Sequence, residues 1–263
     1  MDFYTETNNI FFKLMLLENQ DIEESINDKY LFKAIILAGG PGSGKSFITN
    51  KMFSADSIPR ASSDDVFKIK LKKAGLGKDL DPEKVEIYKK QTEKRMQAKV
   101  ANNEKVANYI NGMLPFVVES TGQREASITW LNETLGKFGY DVALVFVNTS
   151  LDIAKRRNQE RFEKGERKLD DKSLTDAWEN AHNNMNKFKD VFKDNFFRID
   201  NDGGDIKIFD YMDKEIKKPL LSVARMYLQS PIENELGQRI VKKLEEKGGS
   251  YLSDLGIFVS FKK

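Results

Sequence analysis

Four glycines, one proline, one cation and two hydroxyls are packed into the eight residues Gly39-Gly40-Pro41-Gly42-Ser43-Gly44-Lys45-Ser46. Read from Gly39, they fit the pattern G-x-x-x-x-G-K-S. The chemistry of that pattern is anion capture. Residues without bulky side chains let backbone N–H groups close around a phosphate. A helix starting near Gly44 would aim its positive end at the same group. Lys45 adds a point charge for the outer phosphates, and the Ser46 hydroxyl is placed to ligate Mg²⁺. The apolar run Ala34–Ala38 precedes the loop and the amphipathic stretch Phe47–Phe53 follows it, which is the strand-loop-helix context the motif requires. Gly39, Gly40, Pro41, Gly42, Ser43, Gly44, Lys45, Ser46 and Phe47 are therefore the expected nucleotide cradle. G-x-G-x-x-G read from Gly40 would need glycine where Lys45 stands, so a dinucleotide site is excluded.

Three further groups could act on a bound triphosphate. Asp64-Asp65 lies about twenty residues beyond Lys45, where a carboxylate could take a proton from an acceptor hydroxyl. Ser62-Ser63-Asp64-Asp65 would equally well cap a helix. The segment Lys155–Arg167 puts Arg157 and Arg161 on one helix face, with Gly165 allowing a turn that brings Arg167 from the other side. Converging guanidinium groups suit a transferred phosphoryl group, although Glu160, Glu163 and Glu166 also fit a salt-bridged surface helix. Glu119-Ser120-Thr121-Gly122 closes a strand at its carboxyl end, which makes Glu119, Thr121 and Arg124 candidates for holding substrate or the hydration shell of Mg²⁺.

Positioning these groups calls for a parallel α/β sheet. Apolar runs predict strands near 34–38, 115–120, 141–147 and 195–199, with a short one at Arg60–Ser63; helices are expected over 82–111, 123–137, 150–164 and 172–190. The fold class is thus a kinase-type P-loop α/β domain, a parallel five-stranded sheet flanked by helices, over 31–212 with a lid near 156–171. Helical flanks at 1–30 and 213–263 are amphipathic, the first around Ile10–Leu17 and followed by an acidic turn. Either could pack on the main domain or dock a protein partner.

Composition narrows the class. With 263 residues and 40% hydrophobic content the chain can bury a large core; without cysteine it has no disulfides, thiolate metal sites or thiol nucleophiles. Neither a bilayer-spanning run nor a basic, signal-like start is found, so a cytoplasmic protein is expected. Forty-three basic residues against 41 acidic ones give no global attraction to nucleic acid, although Lys68-Ile69-Lys70-Leu71-Lys72-Lys73 could supply a local one. Trp130 and Trp178 read as core and the lone His182 as a surface residue.

The loop G-G-P-G-S-G-K-S, the element S-S-D-D-V-F-K, the strand F-V-V-E-S-T-G and the run R-R-N-x-x-R-x-x-x-G-x-R together resemble the zeta-toxin and polynucleotide-kinase group of P-loop kinases, over roughly 33–202. The resemblance implies ATP rather than GTP and Mg²⁺ at Lys45 and Ser46. It also implies a general base in Asp64-Asp65, an acceptor pocket at Glu119 and Thr121, and a γ-phosphate clamp at Arg161 and Arg167. The zeta-toxin side implies transfer to a small hydroxylated acceptor such as UDP-N-acetylglucosamine, whereas the polynucleotide-kinase side implies a nucleic-acid 5′-hydroxyl. A non-catalytic nucleotide-binding assembly protein, docking through its terminal helices, is the remaining alternative.

Overall fold

The structure is a computed structural model that describes residues 31–53, 58–76, 85–164, 169–203, 207–210 and 227–247. The expected N-terminal helix, Gly165, Glu166 and Arg167, and most of the C-terminal flank lie outside the described residues.

Every residue of β1 (Lys33–Ala38) is buried, because K-A-I-I-L-A is apolar on both sides of the pleat and so suits the middle of a sheet. β3 (Phe116–Glu119) and β4 (Asp141–Asn148) flank it in parallel, and β5 (Phe196–Asp200) extends the sheet beyond β4. β2, only Arg60–Ala61, pairs with β3. These five parallel strands meet the expectation, and the order is β2-β3-β1-β4-β5-β6. The last strand, β6 (Lys207–Asp210), runs antiparallel on β5 and was not foreseen.

Side chains alternate between two cores. Ala34, Ile36, Phe116, Leu144, Phe146 and Phe196 face one side, where they meet Ile128 and Leu135 of α4 (Glu125–Lys137), Phe188 of α6 (Asp171–Phe192) and Ile240 of α7 (Glu235–Lys247). Ile35, Leu37, Val117, Val145 and Val147 face the other, packing on Ile48 and Met52 of α1 (Lys45–Phe53) and on Tyr227 and Leu228. A third, small core of Phe67, Leu71 and Ala98 joins α2 (Ser63–Lys73) to α3 (Val85–Asn111) as a helical hairpin outside the sheet. α3 is described from Val85 on, and the expected start at 82 lies outside the described residues.

α7 is fixed at the opposite end of the sheet from the glycine loop. Lys33 and Asp141, both buried, pair at 2.8 Å, and Asp141 also accepts from Glu233 N and Asn234 N at 2.8 Å each. Asn234 then caps the helix, its Oδ1 accepting from Leu236 N and Gly237 N.

Two aromatic assignments need correction. Trp130 is not core: it stands 64% exposed on α4, because helical spacing tells which residues share a face but not which face packs. His182 is not a surface residue. It is half-buried, stacked on Trp178 with ring centroids 3.7 Å apart and edge-on to Phe146. Its Nδ1 lies 2.8 Å from Trp178 O and its Nε2 2.7 Å from Asn148 Oδ1.

Candidate functional site

At the carboxyl end of β1 the chain leaves the sheet through Gly39 and enters α1 at Lys45, making a loop between β1 and the N-terminus of a helix. The loop needs glycine where its neighbours press closest. Gly42 has φ +75°, and a Cβ there would stand 2.7 Å from Ala154 O; at Gly39 (φ +151°) a Cβ would meet Val147 O at 2.4 Å. The carbonyls are tied down from behind. Asn201 Nδ2 donates to Ser43 O at 2.8 Å, and the Arg157 guanidinium donates to Gly42 O (3.2 Å), Ser43 O (3.4 Å) and Asn201 O (2.9 Å). Trp178 backs Gly40 and donates from Nε1 to Thr149 O at 2.8 Å. α6 therefore braces the loop, through a tryptophan the sequence had suggested only as core.

The Lys45 ammonium donates to Gly39 O at 2.7 Å and Gly40 O at 3.0 Å, curling over the loop. Its pKa is lowered to about 8. Burial is the principal cause, Arg161 adds to it, and Glu119 and Asp64 oppose it. A lysine held at this cost has its charge stored for an anion that will share the loop.

Glu119 is the hub of the acidic side. Parallel pairing sets it beside Leu37, one residue before the end of β1. Its carboxylate accepts from Thr49 Oγ1 on α1 (3.2 Å) and Ser62 Oγ (3.0 Å), and Arg60 Nη1 lies 3.6 Å from it. Arg60 also pairs with Asp65. Ser62 caps α2 by accepting from Asp65 N at 3.5 Å, so within Ser62-Ser63-Asp64-Asp65 the capping falls to the serine. Asp64 pairs with Lys68 one turn on, and its charge reaches Lys45. Lys45, Glu119, Asp64 and Asp65 thus belong to one connected cluster. Thr121 and Arg124 are exposed just beyond it, Arg124 at the N-cap of α4.

On the other side of the loop, Gly44, Phe47, Arg157, Arg161, Lys164 and Asn201 line a cleft of about 540 Å³. Arg157 and Arg161 share it, as their spacing of four requires, but Arg157 is engaged with the loop backbone while Arg161 is exposed. They project from α5 (Leu151–Glu163). Burial is the main reason the Arg157 guanidinium lies below its ordinary pKa. Asn158 pins the chain that returns from this helix: its Nδ2 donates to Leu169 O at 2.7 Å and its Oδ1 accepts from Leu169 N at 3.0 Å. Ser46 stands in the first turn of α1, and Phe47 is 49% exposed.

Arg60, Thr49, Asn201 and Asn158 were not singled out from sequence, and Ser62 only within a candidate helix cap. Ser62 lies within the S-S-D-D element and Asn158 within the R-R-N-x-x-R run, so a signal was present for both. For Arg60, a single arginine opening a two-residue strand, none was.

A family model described as "AAA domain" matches residues 35–186, more than half of the chain. No curated protein sequence matches. Among solved structures, the AvrRxo1-ORF1:ORF2 complex with ATP superposes with a TM-score of 0.51 at 11% identity, covering 86% of this chain and 71% of that one. The PezAT toxin-antitoxin system of Streptococcus pneumoniae gives 0.47 at 15% identity, with 89% and 93% covered. The Pnkp1/Rnl/Hen1 RNA repair complex gives 0.48 at 16%, with 61% and 47% covered. At these identities the likeness concerns the fold. Among the described residues no helix is long and apolar enough to cross a membrane. The family match takes in the glycine loop, the buried parallel strand before it and the helix after it: the chain belongs to the AAA domain family and has a P-loop kinase-like fold.

Proposed function

We propose that this protein transfers the γ-phosphate of ATP to a hydroxyl group of a small acceptor. The observation that carries the reading is the cluster of carboxylates joined through Arg60 and Glu119 to Thr49 of α1, one turn after Lys45. A protein that merely binds nucleotide has no need of oriented carboxylates there. Gly39 to Ser46 hold the triphosphate by backbone N–H groups and the Lys45 ammonium. The donor set fits Mg²⁺, a hard cation: a hydroxyl at Ser46, with Glu119 held by Thr49 to accept from its hydration shell. Held there, the ion would supply positive charge to offset that of the phosphates. Asp65, oriented by Arg60, takes the acceptor proton, and Asp64 adds negative charge near Lys45. Arg161, with Arg167, neutralises the phosphoryl group in flight, while Arg157 keeps the loop in shape.

Glu119, Thr121 and Arg124 face the acceptor side. The motif resemblance to zeta toxins supports a nucleotide sugar such as UDP-N-acetylglucosamine as that acceptor. A second reading, a polynucleotide 5′-hydroxyl, draws on the exposed Lys68, Lys72 and Lys73 of the helix that carries the aspartates. It requires acceptor binding to weaken steeply with salt.

Separating binding from turnover tests the proposal. Asp65→Asn should keep ATP affinity within about threefold while acceptor-dependent ADP formation falls by about 10²–10⁴. If Asp65→Asn and Asp64→Asn both leave turnover intact, the carboxylates have no catalytic part and a nucleotide-binding assembly role replaces the kinase.

A further inference from the structure

α3 carries an apolar stripe that faces away from its hairpin partner. Val85, Tyr88, Met96 and Val100 recur at steps of three, eight and four, which sets them on one side of the helix, opposite Gln91, Ala98 and Asn102 that face inward. Val85, Met96 and Val100 are 55%, 60% and 58% exposed, and Tyr88 38%. Arg95 and Lys99 border the stripe.

We propose that the N-terminal segment of this same chain, Ile10-Phe11-Phe12-Lys13-Leu14-Met15-Leu16-Leu17, docks on this stripe. Three observations select it. The first is position: Phe32 N donates to Met113 O at 3.2 Å, so the chain enters the fold beside the C-terminal end of α3. Val100 lies about 17 Å up the helix from Asn111, and the residues between Leu17 and Leu31 reach roughly 43 Å when extended, enough for the whole stripe. The second is content: seven of the eight residues from Ile10 to Leu17 are apolar, matching the stripe in kind. The third is charge. Glu18, directly after the apolar run, would fall beside Arg95 and Lys99 at the edge of the stripe. The seated segment braces the hairpin whose other helix presents Asp64 and Asp65, tying the chain's beginning to the acceptor side of the site.

Because the native chain has no cysteine, introduced pairs can be read without background. In full-length protein, Leu14→Cys is combined in turn with Met96→Cys, with Val100→Cys and with Glu133→Cys, an exposed position on α4, and treated with a short bismaleimide. Mass spectrometry should find intramolecular crosslinks for the Met96 and Val100 pairs at a yield at least about fivefold above the Glu133 pair. Adding Tyr88→Glu and Val85→Glu should bring the Met96 pair down to the Glu133 level. Equal yields across the three pairs overturn the proposal. So do crosslinks that join two copies, which would make the stripe a self-association face.

Discussion

Raising the pH past 8 should weaken ATP binding, and the reason lies in Lys45. In the empty loop its ammonium rests on Gly39 O and Gly40 O with a pKa of about 8, lowered chiefly by burial. A triphosphate in the loop brings negative charge into contact with that ammonium, which favours the protonated form and lifts its pKa again. Above pH 8 the bound state therefore holds more protons than the free state. Binding takes up a proton, and affinity must fall as pH rises. With the bound pKa well above the window, Kd grows in proportion to the fraction of free protein that has lost the proton. Binding at pH 9 is then about tenfold weaker than at pH 7, or about 1.4 kcal/mol. Calorimetry in two buffers of different ionisation enthalpy should count roughly 0.9 protons taken up per ATP at pH 9 and roughly 0.1 at pH 7. In Lys45→Arg the guanidinium stays charged, so the affinity, whatever its value, should be flat over this range. Folding stability carries the opposite sign. The fold disfavours the charged lysine, so the empty protein gains stability as pH climbs from about 8 toward 10.5, where the unfolded side chain titrates. A wild-type affinity unchanged between pH 7 and 9, or the same slope in Lys45→Arg, would refute the reasoning.

Other perturbations have clear directions. Gly42→Ala must hold φ near +75° and seat a methyl 2.7 Å from Ala154 O; thermal denaturation should show a loss of at least about 1–3 kcal/mol, and ATP binding should fall with it. Asp141→Ala strands the buried Lys33 ammonium and two backbone N–H donors before α7, and should cost about 3–5 kcal/mol in chemical denaturation; Lys33→Met together with Asp141→Leu should recover part of it. His182 lies below its ordinary pKa, mainly through burial, so its protonation opposes the fold. Stability should therefore decline as pH falls below about 6.5, and His182→Gln should flatten that part of the acid profile.

What could be read from the sequence was mostly what is local. The glycine loop is one contiguous segment whose chemistry is written in its residue types, and β1, β3 and β4 betray themselves by continuous apolar runs because both their faces are covered. β2 shows only two residues of ladder, and β6 is a short K-I-F-D edge with too little pattern to stand out. The braces around the loop are not local at all. Asn201 reaches Ser43 across 158 residues and Arg157 reaches Gly42 across 115, while Arg60 matters only because pairing of β2 with β3 brings it beside Glu119. His182 sits in a run of polar neighbours, and only the stacking of Trp178 and the reach of Asn148 give it an interior place.

The fate of the γ-phosphate tests the central claim most directly. Protein, Mg²⁺ and ATP labelled at the γ-position are incubated with a panel of nucleotide sugars, nucleosides and 5′-hydroxyl oligonucleotides, alongside Lys45→Ala and the double Asp64→Asn, Asp65→Asn variant. The account predicts label on one organic acceptor, lost in both variants. Label found only as inorganic phosphate, or ATP bound with no transfer to any acceptor, would contradict it.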